Sequence, residues 1–212
     1  MGRTRFVVID FEGLTPVGRA PVPVEVAAVT VVCRGDGTLE ELGQFGSLMK
    51  PPAGVAVTAF DQAAGITRAL LATAPPAREV MAALDRHVHD PAEAAGAEVR
   101  LVAQNAPTER TMLHGQRDHC PRLAGTPLLD TLRLARASLP ELTAHGLSEL
   151  ARYFGVTIPP DRHRALADVE LTIAVLRELL TRGPWETLLD LERTAALQPK
   201  RVEPAGEQTG LF

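Results

Sequence analysis

The chain has 212 residues, 45% hydrophobic and 23% charged, which is enough apolar material for the core of one soluble domain. A formal net charge of −4 excludes a general coat for duplex nucleic acid, and a single Trp with a single Tyr excludes an extended aromatic platform for single strands. Cys33 and Cys120 stand at no ligand-like spacing, so no zinc site is expected and both thiols read as reduced.

In chain order, the apolar run Phe6-Val7-Val8-Ile9 predicts a buried strand over residues 5–10. Strands follow at 24–33 and 39–48, with Gly35-Asp36-Gly37 as the hairpin turn between them. Helices are expected at 76–88 and 107–115, short strands at 99–104 and 127–130, and an exposed loop at 88–98. Leu147, Leu150, Ala151 and Phe154 recur at helical spacing up to Gly155, a C-terminal stop. Val169, Thr172, Ile173, Leu176 and Leu180 mark a longer helix, and a last one runs from about Trp185 to Leu197. The fold class is α/β, a central mixed sheet flanked by helices. The N-terminal apolar run is too short for a signal peptide and no stretch approaches a membrane span, so the expected location is cytoplasmic.

The chemistry lies in scattered acids and one histidine. Asp10 and Glu12 close the first strand two residues apart, and strand alternation puts both on one face. Neighbouring carboxylates repel unless a cation or a shared proton lies between them, and a divalent metal is the natural occupant. Pro159-Pro160 keeps His163 out of a helix interior, while Asp168 falls in the first turns of the long helix, one residue off its apolar stripe. Glu109 sits early in the helix that begins at Pro107. Taken singly, each has an ordinary structural explanation: a solvated strand end, a loop histidine, a residue favoured by the helix dipole. Together, in this order, they describe a motif set.

That set resembles the 3′–5′ exonucleases of the DEDDh type, the DnaQ-like family that includes the proofreading epsilon subunit of bacterial replicative polymerase and ribonuclease T. Asp10-Phe11-Glu12 matches the first motif and His163 with Asp168 the third; the second aligns with Gln104-Asn105-Ala106-Pro107-Thr108-Glu109. Gly65-Ile66-Thr67, Ala74-Pro75, Asp130 to Arg136 and Leu147-Ser148-Glu149-Leu150 also fall where the family has similar sequence. The departures are Gln104 for a histidine, Thr108 for a phenylalanine, Glu109 for an aspartate, and Gly13-Leu14 where a threonine pair is usual.

The resemblance implies the ribonuclease H-like fold and a phosphodiesterase using two Mg²⁺ or Mn²⁺ ions about 4 Å apart. It makes Asp10, Glu12, Glu109 and Asp168 the metal ligands and His163 the general base on the attacking water, since imidazole titrates near neutrality. Phe11, Gly13 and Asn105 would contact substrate. The expected partner is a nucleic acid 3′ end, single-stranded or frayed DNA, with RNA trimming or a catalytically weak adaptor as alternatives. The expected organisation is an exonuclease domain over 1–183, a C-terminal helix over 184–197 and a flexible tail over 198–212, where Pro199, Pro204 and Gly206 are interspersed with charges. In the tail, Gln208-Thr209-Gly210-Leu211-Phe212 resembles the short motif that docks replication and repair proteins on the bacterial sliding clamp. Gln208 would bond at the pocket rim and Leu211 and Phe212 would fill it; a clamp or a DNA polymerase is therefore an expected partner.

Overall fold

The computed structural model describes residues 4–34, 38–90, 98–160 and 163–197. The expected turn at 35–37, most of the 88–98 loop, and the tail with Gln208, Leu211 and Phe212 lie outside the described residues. Three strands come first, β1 (Thr4–Leu14), β2 (Val22–Cys33) and β3 (Leu39–Leu48), followed by short helices α1 (Ala59–Ala63) and α2 (Arg68–Ala72). Next are α3 (Ala77–Val88), β4 (Glu98–Ala103), α4 (Pro107–Gly115), α5 (Pro121–Gly125), β5 (Leu128–Asp130) and α6 (Thr131–Ser138). The chain continues with α7 (Leu147–Phe154), α8 (Ala165–Arg182), α9 (Leu188–Ala195) and β6 (Ala196–Leu197).

Among the described residues the sheet has the order β3-β2-β1-β4-β5-β6. β1, β2 and β3 form an antiparallel meander, β4 and β5 join parallel to β1, and β6 returns antiparallel to β5. Helices cover both faces, so β1 is apolar on both sides. Phe6 and Val8 face the layer built with α6, α7, α8 and α9. Val7, Ile9 and Phe11 face the layer built with α3, α4 and α5. This mixed, helix-flanked sheet is the expected α/β architecture.

β1 is longer than expected because β2 pairs with it all along, from Arg5↔Val32 to Leu14↔Val22, with a register shift between Glu12 and Gly13. On its other side, β4 pairs only as far as Val8. Asp10 and Glu12 therefore lie beyond the last β4 pairing, where the chain leaves Ala103 and turns into α4. The segment expected as one C-terminal helix divides. A capping box, Thr187 with Asp190, starts α9 at Leu188, and residues 196–197 become a strand. Trp185, Leu191 and Ala195 belong to the same apolar core as β1, so this segment is continuous with the sheet layers. No helix among the described residues is long and apolar enough to cross a membrane.

Candidate active site

The alternation that buries Phe6 and Val8 against α8 carries Asp10 and Glu12 onto the same face of β1. Both are partly exposed, as befits residues past the covered part of the strand. Opposite them, α8 opens after a loop in which His163 adopts a left-handed backbone, φ 72°. Non-glycine residues rarely hold that conformation, and where they do it often marks a functional site. His163 is exposed, whereas Asp168, in the first turn of α8, is 8% exposed and faces the sheet. One ligand atom from each of Glu12, His163 and Asp168 lies within 4.8 Å of the others. The two ends of the sequence motif set thus meet in space.

Asp10 and Glu109 adjoin that trio. Glu109 sits in the first turn of α4, which Pro107 begins, and is 4% exposed. Its Oε2 is buried without a hydrogen-bond partner. Burial, then repulsion from Asp10, with smaller contributions from Asp130 and Glu12, pushes its carboxyl up to about 8. The extra methylene relative to aspartate does not take the group out of the cluster. In the metal-free protein Glu109 is a carboxyl forced towards its neutral form by burial and then by its acidic neighbours.

Asp130 supports the cluster in a way that motif reading missed. It is 2% exposed and caps α6, accepting the Leu132 N–H at 3.0 Å. The same Oδ1 accepts the Asn105 N–H at 3.0 Å, and the Ala106 N–H also bonds to the carboxylate. Asn105 is itself left-handed, φ 58°, a conformation asparagine tolerates better than most residues. Asp130 therefore fixes the turn that feeds α4 and aims Glu109. The signal was present in the sequence as an aspartate directly before an apolar-periodic run. Gln104 replaces the usual histidine and acts structurally: its Nε2 donates to the His145 carbonyl at 2.9 Å, and its Oε1 accepts from Thr131 Oγ1 at 2.5 Å.

Of the expected substrate contacts, the Asn105 side chain is exposed beside the cluster. Phe11 is different. It is 5% exposed and packed in the layer with α3, α4 and α5, on the opposite face of β1 from Asp10 and Glu12. Alternation sends it there, so the Phe11 side chain is core and only its backbone reaches the site side. Gly13 lies at a close approach: a Cβ there would meet Met112 Cε at 2.5 Å and the Val22 carbonyl at 3.2 Å. Cys120, beside His119 in a polar stretch, is buried; its Sγ donates to the Gln116 carbonyl at 3.2 Å, and burial pushes the thiol up to about 12.

The donor set suits a hard divalent cation. It consists of carboxylate oxygens with one imidazole, and the bare Glu109 Oε2 is a buried oxygen that a cation would satisfy.

The Exonuclease (RNase_T) family model matches residues 7–176. The chain belongs to this exonuclease family. Its relatives include the DNA polymerase III subunit epsilon-like protein of Rhodobacter capsulatus, 35% identical over 85% of this chain and 24% of that protein. DNA polymerase III PolC-type of Oceanobacillus iheyensis is 33% identical over 84% of this chain and 11% of that protein. The chain thus spans a quarter or less of the length of these relatives. Among solved structures, the nuclease domain of 3′hExo, a DEDDh family member bound to rAMP, covers 85% of this chain and 94% of its own, with TM-score 0.70 and 15% identity. Escherichia coli exonuclease I in complex with a dT13 oligonucleotide covers 85% of this chain and 42% of its own, with TM-score 0.64 and 17% identity. The expected ribonuclease H-like fold is therefore the observed one.

Proposed function

We propose that this exonuclease removes nucleoside 5′-monophosphates from DNA 3′ ends, in proofreading or repair. The observation that carries the reading is the meeting of Glu12, His163 and Asp168 within 4.8 Å, beside a buried Glu109 whose Oε2 lacks a hydrogen-bond partner. Asp10, Glu12, Asp168 and Glu109 would hold two Mg²⁺ or Mn²⁺ ions, which supply charge stabilisation for an in-line displacement at phosphorus. His163 accepts a proton from the attacking water at an imidazole nitrogen; its exposed position gives it access to solvent. The new P–O bond forms as the bond to the 3′ oxygen of the preceding nucleotide breaks. Asp168 is held by its helix and Glu12 by its strand, so both keep their positions while His163 handles the proton.

The choice of DNA is supported by the names of the relatives, which are DNA polymerase III proteins. The fold alone suits either sugar, since its neighbours are described with rAMP and with dT13. The test is digestion of matched 5′-labelled single-stranded DNA and RNA with Mg²⁺ or Mn²⁺, beside Asp10→Ala. A ladder shortening from the 3′ end, faster on DNA and absent in the variant, is expected. Faster RNA shortening would overturn the substrate assignment, and no metal-dependent shortening would overturn the activity.

We also propose that Gln208, Leu211 and Phe212 dock the protein on a sliding clamp, a reading supported by sequence resemblance alone. Deleting residues 208–212 should abolish co-elution with the clamp and leave digestion of short oligonucleotides intact. Co-elution of the deletion variant would refute it.

A further inference from the structure

Glu25 is an acid inside the buried strand β2, in the run Val22 to Cys33, and it is 9% exposed. A buried carboxylate in such a strand needs a partner. Its partner is Arg164, which lies 139 residues away and immediately follows His163. The guanidinium grips both carboxylate oxygens: Nε donates to Oε2 at 2.9 Å and to Oε1 at 3.2 Å, and Nη2 donates to Oε1 at 2.8 Å. This is a fork-type pair, stronger and more directional than a single-point contact.

Arg164 meets the site in three ways. Its side chain holds Glu25, whose Cα lies directly across the β1–β2 ladder from Glu12. Its carbonyl accepts the Asp168 N–H at 3.1 Å, a bond in the first turn of α8. Its amide is joined to His163, whose left-handed backbone needs support from its surroundings. Apolar packing of Ala165 and Val169 against the β1 and β2 residues holds the inner side of α8. On the outer side lies a cavity of about 460 Å³, lined by Glu25, Ser47, Leu48, Arg164, Leu166 and Glu170 among others. Beside that cavity the Arg164–Glu25 pair adds an electrostatic tie from the start of the helix to the sheet.

We infer that Arg164 and Glu25 are positioning residues, which hold the His163 loop against β1 so that the imidazole stays beside Glu12 and Asp168. The kinetic part of this inference rests on His163 acting as the base; the conformational part does not. Arg164 also neutralises a carboxylate next to a cluster already crowded with negative charge.

The test compares Arg164→Ala, Glu25→Gln and Arg164→Lys in the full chain. The first readout is the His163 imidazole signal in the metal-free, ¹³C-labelled protein, assigned with His163→Gln. In Arg164→Ala and Glu25→Gln this signal should shift or broaden while the signals of the other five histidines stay in place. The second readout is turnover. An imidazole misplaced by about 1 Å should lower kcat by about 100-fold in both variants with KM nearly unchanged. Arg164→Lys keeps the charge but loses the fork, and should recover part of that loss. Should Arg164→Ala fail to fold, Glu25→Gln, close in shape to the native residue, carries both readouts. An unmoved His163 signal in the variants overturns the inference, whatever the kinetics. So does a fall in kcat confined to Arg164→Ala, which would mean that Arg164 acts directly on substrate. An inactive wild type, or full activity of His163→Gln, would remove the base assignment while the spectroscopic arm still decides the positioning.

Discussion

Glu109→Gln in metal-free protein isolates one electrostatic conflict. Burial and the neighbouring carboxylates raise the Glu109 carboxyl from 4.5 to about 8. At about 1.4 kcal/mol per unit, ionising it in the folded state costs up to about 5 kcal/mol. Because the folded value is raised, the penalty is absent below the unfolded value of 4.5, grows as pH rises, and levels off above about 8. Glutamine has the same shape and never ionises. Urea denaturation in chelator should therefore show the stability difference, variant minus wild type, increasing by several kcal/mol between about pH 5 and about pH 9. Other titrating groups are common to both proteins and cancel in that difference. Adding Mn²⁺ at the higher pH should stabilise the wild type more than the variant, because ions bound to the fold stabilise it by mass action and the variant offers one fewer charged ligand. Parallel pH profiles for the two proteins would refute the placement of Glu109 among the acids.

Asp130→Ala leaves the amides of Asn105, Ala106 and Leu132 without their buried acceptor and should cost about 3 kcal/mol, read by urea denaturation; Asp130→Asn, which keeps an oxygen there, should lose less. Gly13→Ala pushes Met112 Cε aside and crowds the Val22 carbonyl, costing about 1–2 kcal/mol. Pairing it with Met112→Ala should add less than the sum of the two single changes, which a double-mutant cycle measures. Thr187→Ala removes the capping box of α9 and should lower stability by about 1 kcal/mol without changing turnover.

The site was legible where the motif residues also obey the periodicity of their elements. Asp10 and Glu12 continue the alternation of Phe6 and Val8, so one pattern fixed both the strand and the shared face. Asp168 follows from the apolar spacing of α8, although it lies deeper than a residue off the stripe would suggest. The same alternation, applied one residue further, assigns Phe11 to the core; resemblance had suggested substrate contact, and the period of the strand overrules it for the side chain. Less legible were contacts between segments far apart in the chain. Asp130 reads as a helix cap, but nothing local tells that the capping Oδ1 also accepts from the Asn105 turn. Glu25, an acid within β2, was not singled out, and its partner lies 139 residues on, a pairing that only the fold reveals. β6 was missed because two residues are too few to show any period.

That short strand determines how the chain leaves the domain. β6 runs antiparallel to β5, with Ala196 across from Leu129 and Leu197 across from Leu128. Asp130, which supports the acidic cluster, is at the other end of β5. Leu197 therefore lies at the N-terminal end of β5, the end opposite Asp130 and the acidic cluster. A partner held at that end of the sheet would leave the acidic cluster at the other end uncovered, so attachment and digestion would not compete for the same surface.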